Sequence, residues 1–453
     1  MEPLLFLLFA LFLAGSSSVR LNPEAERSKQ QAFRLPLYHI HGQGPDSAQP
    51  EETPLPFSEA LALDIARVKF LHSRLNGTVT SLAGSSGLIN GKSVKVPLNP
   101  GQSIGIANYY TKIGLGTPPT YHLVVVDTGS SFPWIQCEPC RVYCHPQVGS
   151  HFNPSASNTY RRLPCRTSQC SSLKVATLNS PMCTVSNVCI YTASYGDQSF
   201  SVGYLSKDSL TFGSESLPDF VFGCGQDNMG LFGRSAGLIG LAKNELSMVS
   251  QLSARYGKAF SYCLPSSAPL GKPGSGGFLS IGSVNSGARS TPMLSDPRDP
   301  TLYFLKLTAI SVSGRPLPLA ASAYSVPTII DSGTTISRLA APVYDALRKE
   351  LVRIISSKFQ VAEAFSILDA CFKGGAGQIA TAVPPVNLIF QGGAELTLAP
   401  ENVIIEVVKG TTCLSFAATT RENAIIGNQQ QQTFEIIYDI TNSKIGFSPR
   451  GCS

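Results

Sequence analysis

Charged residues are scarce in this sequence. Asp, Glu, Lys and Arg make up only 14% of its 453 residues, and the formal net charge is +6. No run of five or more Lys and Arg residues occurs, so composition gives no indication of nucleic-acid binding. After the amino-terminal segment, no uninterrupted apolar stretch reaches the ~18 residues that a membrane-spanning helix needs. We therefore expect no nucleic-acid partner and no membrane anchor.

The motifs of several hydrolase classes are also missing. There is no His-Glu-x-x-His pattern, which argues against a zinc metalloprotease. Two literal Gly-x-Ser-x-Gly matches, Gly101–Gly105 and Gly233–Gly237, lack the strand-turn-helix context of a serine nucleophile. The six histidines suggest no catalytic triad. Serine, cysteine and metal-dependent hydrolysis are therefore disfavoured.

Cysteine is present in an even number, twelve, and nine of the twelve lie between Cys137 and Cys263. The spacing of Cys137, Cys140 and Cys144 could also hold zinc, but an export signal upstream favours disulfides. We expect up to six disulfides, whose pairing the spacing does not determine, and neither a metal nor a cofactor.

Length and composition indicate a mainly β protein with more than one domain. A chain of 453 residues exceeds the size at which a single hydrophobic core stops growing. Its 40 glycines and 32 prolines suit many short strands joined by tight turns. Helical patterns are few, the clearest in the body of the chain being Leu246–Tyr256 and Pro342–Ile355.

The amino terminus predicts export. The segment Pro3–Gly15 is almost wholly apolar and is followed by three serines, which is typical of a signal peptide over residues 1–18. A retained anchor and a plastid transit peptide are weaker alternatives, because the apolar run is short and the segment is not rich in Ser and Arg. The expected location is therefore secreted, extracellular (apoplastic) or vacuolar, with a plastid less favoured.

Residues 19–94 differ in composition from the rest and predict a propeptide. Within them, Phe57–Leu75 alternates apolar and charged residues as an amphipathic helix does. An ordinary surface helix would show the same pattern. Because the helix lies between the predicted signal peptide and the body of the chain, we favour a propeptide segment that covers a cleft in that body. Asn76 begins the sequence Asn-Gly-Thr, a predicted glycosylation site.

The strongest signal is a motif that occurs twice. The residues Val124–Ser130 (VVVDTGS) are echoed by Thr328–Thr334 (TIIDSGT), which places Asp331 204 residues after Asp127. Each copy is followed later by two aliphatic residues and a glycine, in the segments Gly237–Gly240 and Ala424–Gly427. This repetition predicts two similar lobes, each with a carboxylate at the end of a buried strand.

Two such carboxylates at a pseudo-twofold axis would share one proton, because like charges at hydrogen-bonding distance cannot both ionise. One then acts as a base on a bound water while the other donates to the scissile carbonyl. We leave the proton unassigned, since it belongs to the pair. The predicted supporting residues provide close backbone approach (Gly129, Gly333), hydroxyl bonds to the outer carboxylate oxygens (Ser130, Thr334) and hydroxyl cross-links beneath the site (Thr128, Ser332).

From about Tyr109 onward these residues resemble the pepsin-like aspartic proteases, and the details are similar to the plant nepenthesin-like branch. The motifs that carry the resemblance, besides the two turns, are Trp134–Cys137, the cysteine-rich insert Cys137–Cys189, Tyr195–Asp197, Phe222–Gly225, Phe260–Leu264 and Ile426–Gln430. The resemblance implies a bilobal fold of two pseudo-symmetric β-barrel-like lobes flanking a cleft, here 95–298 and 299–453. It also implies an endopeptidase that cleaves polypeptides at acidic pH, binds pepstatin-type inhibitors and is a monomer.

By the same resemblance, Tyr195 would be the tyrosine of a mobile flap and would hydrogen-bond toward Trp134, while Gly196 gives the flap its turn. The aliphatic-aliphatic-Gly segments would form ψ-shaped loops beneath the catalytic turns. Two departures, Ser131–Pro133 and Gln198, put flap mobility and substrate preference in question.

Two other functions stay open at this point. Relatives similar to xylanase inhibitors and storage globulins use the same fold to bind proteins, with decayed catalytic turns. Others are similar to chloroplast nucleoid DNA-binding proteases. The intact turns at Asp127 and Asp331 disfavour the first alternative, and the lack of basic runs disfavours the second.

Overall fold

The computed structural model describes residues 33–39, 56–75, 109–449 and 452, except 197, 213–214, 231, 267–276 and 283–286; for 33–39 it describes only the strand. The predicted signal peptide and the glycosylation site at Asn76 lie outside the described residues. Within them the chain is mainly β and forms two lobes, which confirms the predicted fold class.

The strands fall into one large sheet and three smaller ones. Those of the first part of the chain are β1 Phe33–His39, β2 Tyr109–Leu115, β3 Thr120–Asp127, β4 Trp134–Gln136, β5 Tyr143–Cys144, β6 Arg161–Arg162, β7 Met182–Cys183, β8 Cys189–Ser194, β9 Phe200–Phe212, β10 Glu215–Met229, β11 Gly237–Gly240, β12 Ala259–Cys263, β13 Gly277–Ile281 and β14 Arg289–Pro292. Those of the second part are β15 Leu294–Asp296, β16 Asp299–Leu305, β17 Leu307–Val312, β18 Arg315–Pro316, β19 Thr328–Ile330, β20 Ser337–Ala340, β21 Val361–Ala362, β22 Cys371–Lys373, β23 Val386–Phe390, β24 Glu395–Leu398, β25 Ile404–Val408, β26 Thr411–Leu414, β27 Phe416–Thr419, β28 Ala424–Ile426, β29 Glu435–Asp439 and β30 Lys444–Ser448.

Helices are fewer and mostly short. They are α1 Phe57–Leu75, α2 Ser168–Ala176, α3 Met248–Tyr256, α4 Ala341–Ile355, α5 Ala376–Ile379, α6 Pro400–Val403 and α7 Asn428–Gln431, with 3₁₀ turns at Pro154–Ala156, Ala321–Tyr324 and Ala380–Ala382.

Local chemistry explains where the predicted helices begin. The helix predicted from Leu246 starts instead at Met248, because the Ser247 side chain accepts a hydrogen bond from the Ser250 N–H and caps it. Pro342 lies in the first turn of α4, where its missing N–H costs nothing.

Each half of the chain builds the same small unit around its repeated motif. Strand β3 pairs in parallel with β11, and β11 pairs antiparallel with β4. In the second half, β19 pairs in parallel with β28, and β28 pairs antiparallel with β20. The aliphatic-aliphatic-Gly segments are therefore the parallel neighbours of the two strands that lead into the repeated Asp-containing turns.

The large sheet joins the two halves of the chain. Strands β29 and β30 from the carboxy-terminal end pair with β12 and β14. Strand β1, which belongs to the region predicted as a propeptide, pairs with β13 on one side and with β2 on the other. A segment far upstream of the catalytic turns thus completes this sheet.

All twelve cysteines form disulfides. The pairs are Cys137–Cys224, Cys140–Cys144, Cys165–Cys183, Cys170–Cys189, Cys263–Cys452 and Cys371–Cys413. The cysteines at 137, 140 and 144, for which zinc was the alternative, are thereby bonded to sulfur. Four of the six bonds lie in or next to the cysteine-rich insert, where few long strands hold the chain.

Candidate active site

The two repeated turns meet at the centre of the molecule. Asp127 ends β3 and Asp331 follows β19, and their side chains are only 1% and 0% exposed. The Asp127 carbonyl accepts a hydrogen bond from the Leu241 N–H at 2.8 Å, and the Asp331 N–H donates to the Ile426 carbonyl at 3.1 Å. Each aspartate is therefore fixed by the parallel neighbour of its own strand.

Beneath the carboxylates, Thr128 and Ser332 bind each other across the two lobes. The Ser332 N–H donates to Thr128 Oγ1 at 2.8 Å, and the Thr128 N–H donates to Ser332 Oγ at 3.2 Å. Thr128 Oγ1 also lies 3.4 Å from the Asp331 carboxylate. These reciprocal bonds keep the turns side by side, in the position at which cross-linking hydroxyls were expected.

The two glycines allow this close approach. A Cβ added at Gly129 would lie 2.7 Å from Asp331 Oδ1, and one added at Gly333 would lie 2.6 Å from Asp127 Oδ1. Such contacts are shorter than real Cβ atoms tolerate, so each turn leaves room for the opposite carboxylate. The backbone N–H groups of Gly129 and Gly333 donate to the carboxylate of their own turn at 2.9 and 3.2 Å.

The two supporting hydroxyls behave differently from each other. Thr334 Oγ1 donates to Asp331 Oδ2 at 2.6 Å, as expected. The Ser130 hydroxyl, for which the matching bond to Asp127 was predicted, is buried and has no hydrogen-bond partner among the described residues. The expectation for Ser130 is therefore wrong in this state, in which Asp127 Oδ2 faces a cation instead.

That cation is Arg67, on α1, which lies in the cleft. Its Nη2 donates to Asp127 Oδ1 at 2.6 Å and to Asp331 Oδ1 at 2.9 Å. Its Nε donates to Asp331 Oδ2 at 2.9 Å, and Nη1 lies 3.3 Å from Asp127 Oδ2. One guanidinium therefore binds both carboxylates, and the two carboxylates lie against the same nitrogen atom.

The charges at this contact shift each other's titration. Burial alone would raise the pKa of Asp331, but the Arg67 charge and the hydrogen bonds from Arg67, Thr334 and Gly333 outweigh it and hold that pKa below its ordinary value. Burial also opposes the Arg67 charge, yet the two carboxylates raise its pKa well above the usual range. Asp331 is thus held in its ionised form by the bound Arg67 guanidinium.

Two further charged side chains fix α1 on either side of Arg67. Asp64 accepts a hydrogen bond from Arg338 Nη2 at 2.8 Å and from the Thr335 N–H at 2.5 Å. Arg74 donates to Asp299 at 2.7 Å and to the Gly129 carbonyl at 2.6 Å. The helix therefore contacts both catalytic turns or their immediate neighbours.

The hairpin of β8 and β9 lies against α1. At its end, Trp134 Nε1 donates to the Tyr195 hydroxyl at 2.8 Å, and both rings pack on Phe232. A Cβ at Gly196 would lie 2.6 Å from the carbonyl of Ala66 on α1, so the hairpin rests directly on the helix. Gln198, the departure noted in the sequence, adopts a left-handed conformation with φ of 68°, which favours glycine and strains a larger residue.

Asp64, Arg67 and Arg74 were not identified as functional from the sequence. A usable signal was present, because these charges recur at helical spacing among the apolar residues of α1 that become buried: Leu61, Val68, Leu71 and Leu75. Charges on the buried face of an amphipathic helix require partners. The partners, however, are far away in sequence.

Within the described part of the chain, no group of His, Cys, Asp and Glu is arranged to hold a metal ion. Among the same residues, no helix has the length and apolarity to cross a membrane.

Comparison with known proteins assigns the chain to a family. Residues 109–283 match the family described as "Xylanase inhibitor N-terminal", and residues 302–449 match "Xylanase inhibitor C-terminal". An aspartyl protease family protein of Arabidopsis thaliana is 38% identical over 98% of this chain and 92% of its own length. The aspartic proteinase nepenthesin-2 of Nepenthes gracilis is 34% identical over 77% of this chain and 78% of its own.

The crystal structure of basic 7S globulin from soybean shares the fold, with a TM-score of 0.59 over 77% of this chain and 96% of that one, at 20% identity. The relative that covers nearly the whole chain is thus named as an aspartyl protease family protein, and the solved structure shares the fold. The chain belongs to the plant nepenthesin-like family of pepsin-like aspartic proteases and is an aspartic endopeptidase.

Proposed function

We propose that this protein hydrolyses peptide bonds at acidic pH with a water molecule activated between Asp127 and Asp331, and that it is made as an inactive precursor. The observation that carries the proposal is the shared guanidinium: both carboxylates bind Nη2 of Arg67. Two oxygens that bind one nitrogen atom face the same point of the site, and the pair can share a proton if they close to hydrogen-bonding distance once that nitrogen has left.

In the open enzyme the pair carries one proton. The ionised carboxylate removes a proton from the bound water, and the protonated one donates to the oxygen of the scissile carbonyl. Water attacks directly, so no acyl-enzyme forms. The proton belongs to the pair and is not assigned to one residue, although Asp331 also receives the Thr334 hydroxyl bond.

The precursor part of the proposal rests on α1 and β1. Helix α1 fills the cleft and neutralises the pair, while β1 occupies a position inside the large sheet. Both precede Tyr109, where the family match begins. Cleavage between Leu75 and Tyr109 would separate α1 from the catalytic lobes and free both carboxylates for water.

Export is the remaining part of the proposal, with a secreted, extracellular or vacuolar protein as the product. Six disulfides suit an oxidising compartment, because thiols stay reduced in the cytosol. Fractionation of cells that express the tagged full-length chain, with amino-terminal sequencing of the exported product, tests this part. Retention of residues 1–18 on the exported product would contradict it.

The test of the activity is cleavage of a denatured protein by the full-length chain after acid treatment, measured from about pH 3 to pH 7. We expect cleavage at acidic pH, inhibition by pepstatin, and its loss in Asp127→Asn and in Asp331→Asn. Asp219→Asn serves as the matched control, because Asp219 is an exposed surface residue paired with Lys207. Cleavage that survives in either catalytic variant would overturn the mechanism.

A further inference from the structure

A buried arginine binds α1 about one helical turn before Arg67. Arg338, on β20, has a side chain only 5% exposed, and its Nη2 binds Asp64 Oδ2 at 2.8 Å. The other oxygen of Asp64 accepts the Thr335 N–H at 2.5 Å. One carboxylate is therefore held by a guanidinium and a backbone N–H, both supplied by the chain segment that follows the second catalytic turn.

This carboxylate comes from α1, the helix that the proposed activation removes. Among the described residues, Asp64 is the acidic group within ion-pair distance of Arg338, whose Nη1 donates to the Ile336 carbonyl at 2.6 Å. Departure of α1 would remove the carboxylate that pairs with Arg338 and leave the guanidinium facing the opened cleft without a counter-charge. A carboxylate from another molecule in the cleft would restore the lost pair.

The position of Asp64 beside Arg338 is one that a side chain of a bound substrate could occupy. Asp64 precedes Arg67 by three residues, which is about 4.5 Å along a helix axis. An extended peptide advances about 3.3 Å per residue. The Arg338 site therefore lies within about three residues of the bond that the pair at Asp127 and Asp331 would cleave.

We propose that Arg338 and the Thr335 N–H form a substrate subsite for an acidic side chain, Asp or Glu, which Asp64 of α1 occupies in the precursor. The proposal rests on the proposed function, because it takes the cleft around Asp127 and Asp331 as the place where substrate binds. Arg338 would then determine specificity at this subsite. In the precursor, Asp64 of α1 would take the place of the acidic side chain of the substrate.

The preference should depend on pH in a characteristic direction. A free Asp or Glu side chain has a pKa near 4, so at about pH 5 it is ionised and can pair with Arg338. Near pH 3 it is protonated and differs little in charge from Asn or Gln. Selectivity for the acidic residue therefore rises with pH across the working range, even where the rate itself falls.

The experiment compares peptides that differ at one position only. The processed enzyme digests a peptide library at pH 5, the cleavage sites locate the position enriched in Asp or Glu, and kcat/KM is then measured for peptides with Asp, Asn or Lys there. We expect Asp to exceed Asn by about tenfold or more at pH 5, as a charged hydrogen bond implies. Lys should be poorer than Asn, and the Asp-to-Asn ratio should approach one at pH 3.

Variants assign the preference to this arginine. Arg338→Met should bring the Asp-to-Asn ratio at pH 5 close to one, and Arg338→Lys should retain part of it. Arg348→Met is the matched control, since Arg348 lies on α4 and pairs with Asp369 at the surface, and it should keep the full ratio. The readout is the ratio of two kcat/KM values measured on one enzyme sample, so it can be determined even for a variant that folds in low yield.

Two results would overturn the subsite: a wild-type library without acidic enrichment within three residues of the cleaved bond, or a ratio that survives in Arg338→Met. Neutral peptides separate this failure from failure of the proposed function. If pepstatin-sensitive cleavage of neutral peptides persists while the acidic preference is missing, only the subsite is wrong. If no peptide is cleaved, the hydrolytic function itself fails.

Discussion

The two walls of the cleft hold α1 in different ways. On the carboxy-terminal lobe, Val68, Leu71 and Leu75 pack in an apolar cluster with Leu302, Phe304, Ile329 and Ile425, and Leu61 joins a second cluster. The two core clusters that contain the apolar residues of the amino-terminal lobe include no side chain of α1. That lobe is reached through charge at Asp127 and the Gly129 carbonyl, and through the Phe70 side chain and the Ala66 carbonyl, which lie against Gly196.

The apolar contacts and the ion pairs of α1 should respond differently to pH. Apolar burial does not depend on pH, so the packing on the carboxy-terminal lobe should persist under acid conditions. The ion pairs depend on ionised carboxylates and weaken when those take up protons. We therefore expect acid to loosen α1 first at the ion pairs of Arg67 with Asp127 and Asp331, one in each lobe, while the apolar contacts remain.

The following changes test this comparison through opening of the cleft. The measurement for the first three is the apparent Kd of a fluorescent pepstatin-type probe for the uncleaved precursor. If docked α1 blocks the probe, the apparent Kd equals the intrinsic value divided by the open fraction.

Arg67→Met should have the largest effect. It removes the cation that pairs with both carboxylates, and breaking a buried ion pair costs about 3 kcal/mol or more. The apparent Kd of the probe at pH 5 should fall by about 100-fold. Arg67→Lys keeps the positive charge but loses the forked donors of the guanidinium, so its apparent Kd should lie between those of the wild type and Arg67→Met. An unchanged Kd in Arg67→Met would show that the ion pairs do not hold the cleft closed.

Leu71→Ala should have the next largest effect. Leu71 is 1% exposed in the apolar cluster, and truncating a buried leucine costs about 2–3 kcal/mol. The probe should bind about 30-fold or more tightly, and by a similar factor at pH 5 and at pH 3, because no titrating group is changed. Lys69→Ala, at an exposed position of the same helix, is the control. A strongly pH-dependent effect of Leu71→Ala would break the proposed division between the two walls.

Lowering the pH should open the wild-type precursor. The pKa of Asp331 in the docked state lies below its ordinary value of 3.8, so the docking free energy from this carboxylate is fully present above that value. It is lost as pH falls toward the lowered pKa, by up to about tenfold in the docking constant per pH unit for each proton bound. The shift should be smaller in Arg67→Met. A docking constant that rises on acidification would contradict this sign.

Trp134→Phe should have the smallest effect, confined to the flap. It removes the donor to the Tyr195 hydroxyl while keeping an aromatic ring against Phe232. One such hydrogen bond contributes about 1 kcal/mol, so kcat/KM of the processed enzyme should fall by about fivefold. Tyr195→Phe removes the other partner of the same bond, so the double variant should lose little more than either single variant. A fully additive loss would mean that Trp134 acts elsewhere.

The sequence predicted the parts of the site that a local pattern encodes. The duplicated turns, the flanking aliphatic strands and the helix Phe57–Leu75 are all local signals, and the structure has them at those places. Strand β16 ends at Leu305, because the chain turns there into β17. Helix α2 was not predicted; it lies in the insert, and its N-cap by Thr167 is a weak signal on its own.

Contacts between residues far apart in the chain could not be predicted from the sequence. Nothing local indicates that Arg67 binds residues 60 and 264 positions away, or that Asp64 binds Arg338. The disulfide partners were undetermined for the same reason. The Ser130 prediction was wrong because it assumed an open site, whereas in this structure Arg67 lies against the Asp127 oxygen that Ser130 was expected to bind.

The most direct test of the account is binding of the pepstatin-type probe to the intact precursor and to the processed enzyme, side by side at pH 5. We expect weak binding to the precursor, because Arg67 and α1 occupy the space in front of Asp127 and Asp331. After cleavage between Leu75 and Tyr109 we expect binding at least 100-fold tighter. Equal affinity of the two forms would mean that α1 does not close the cleft over this pair.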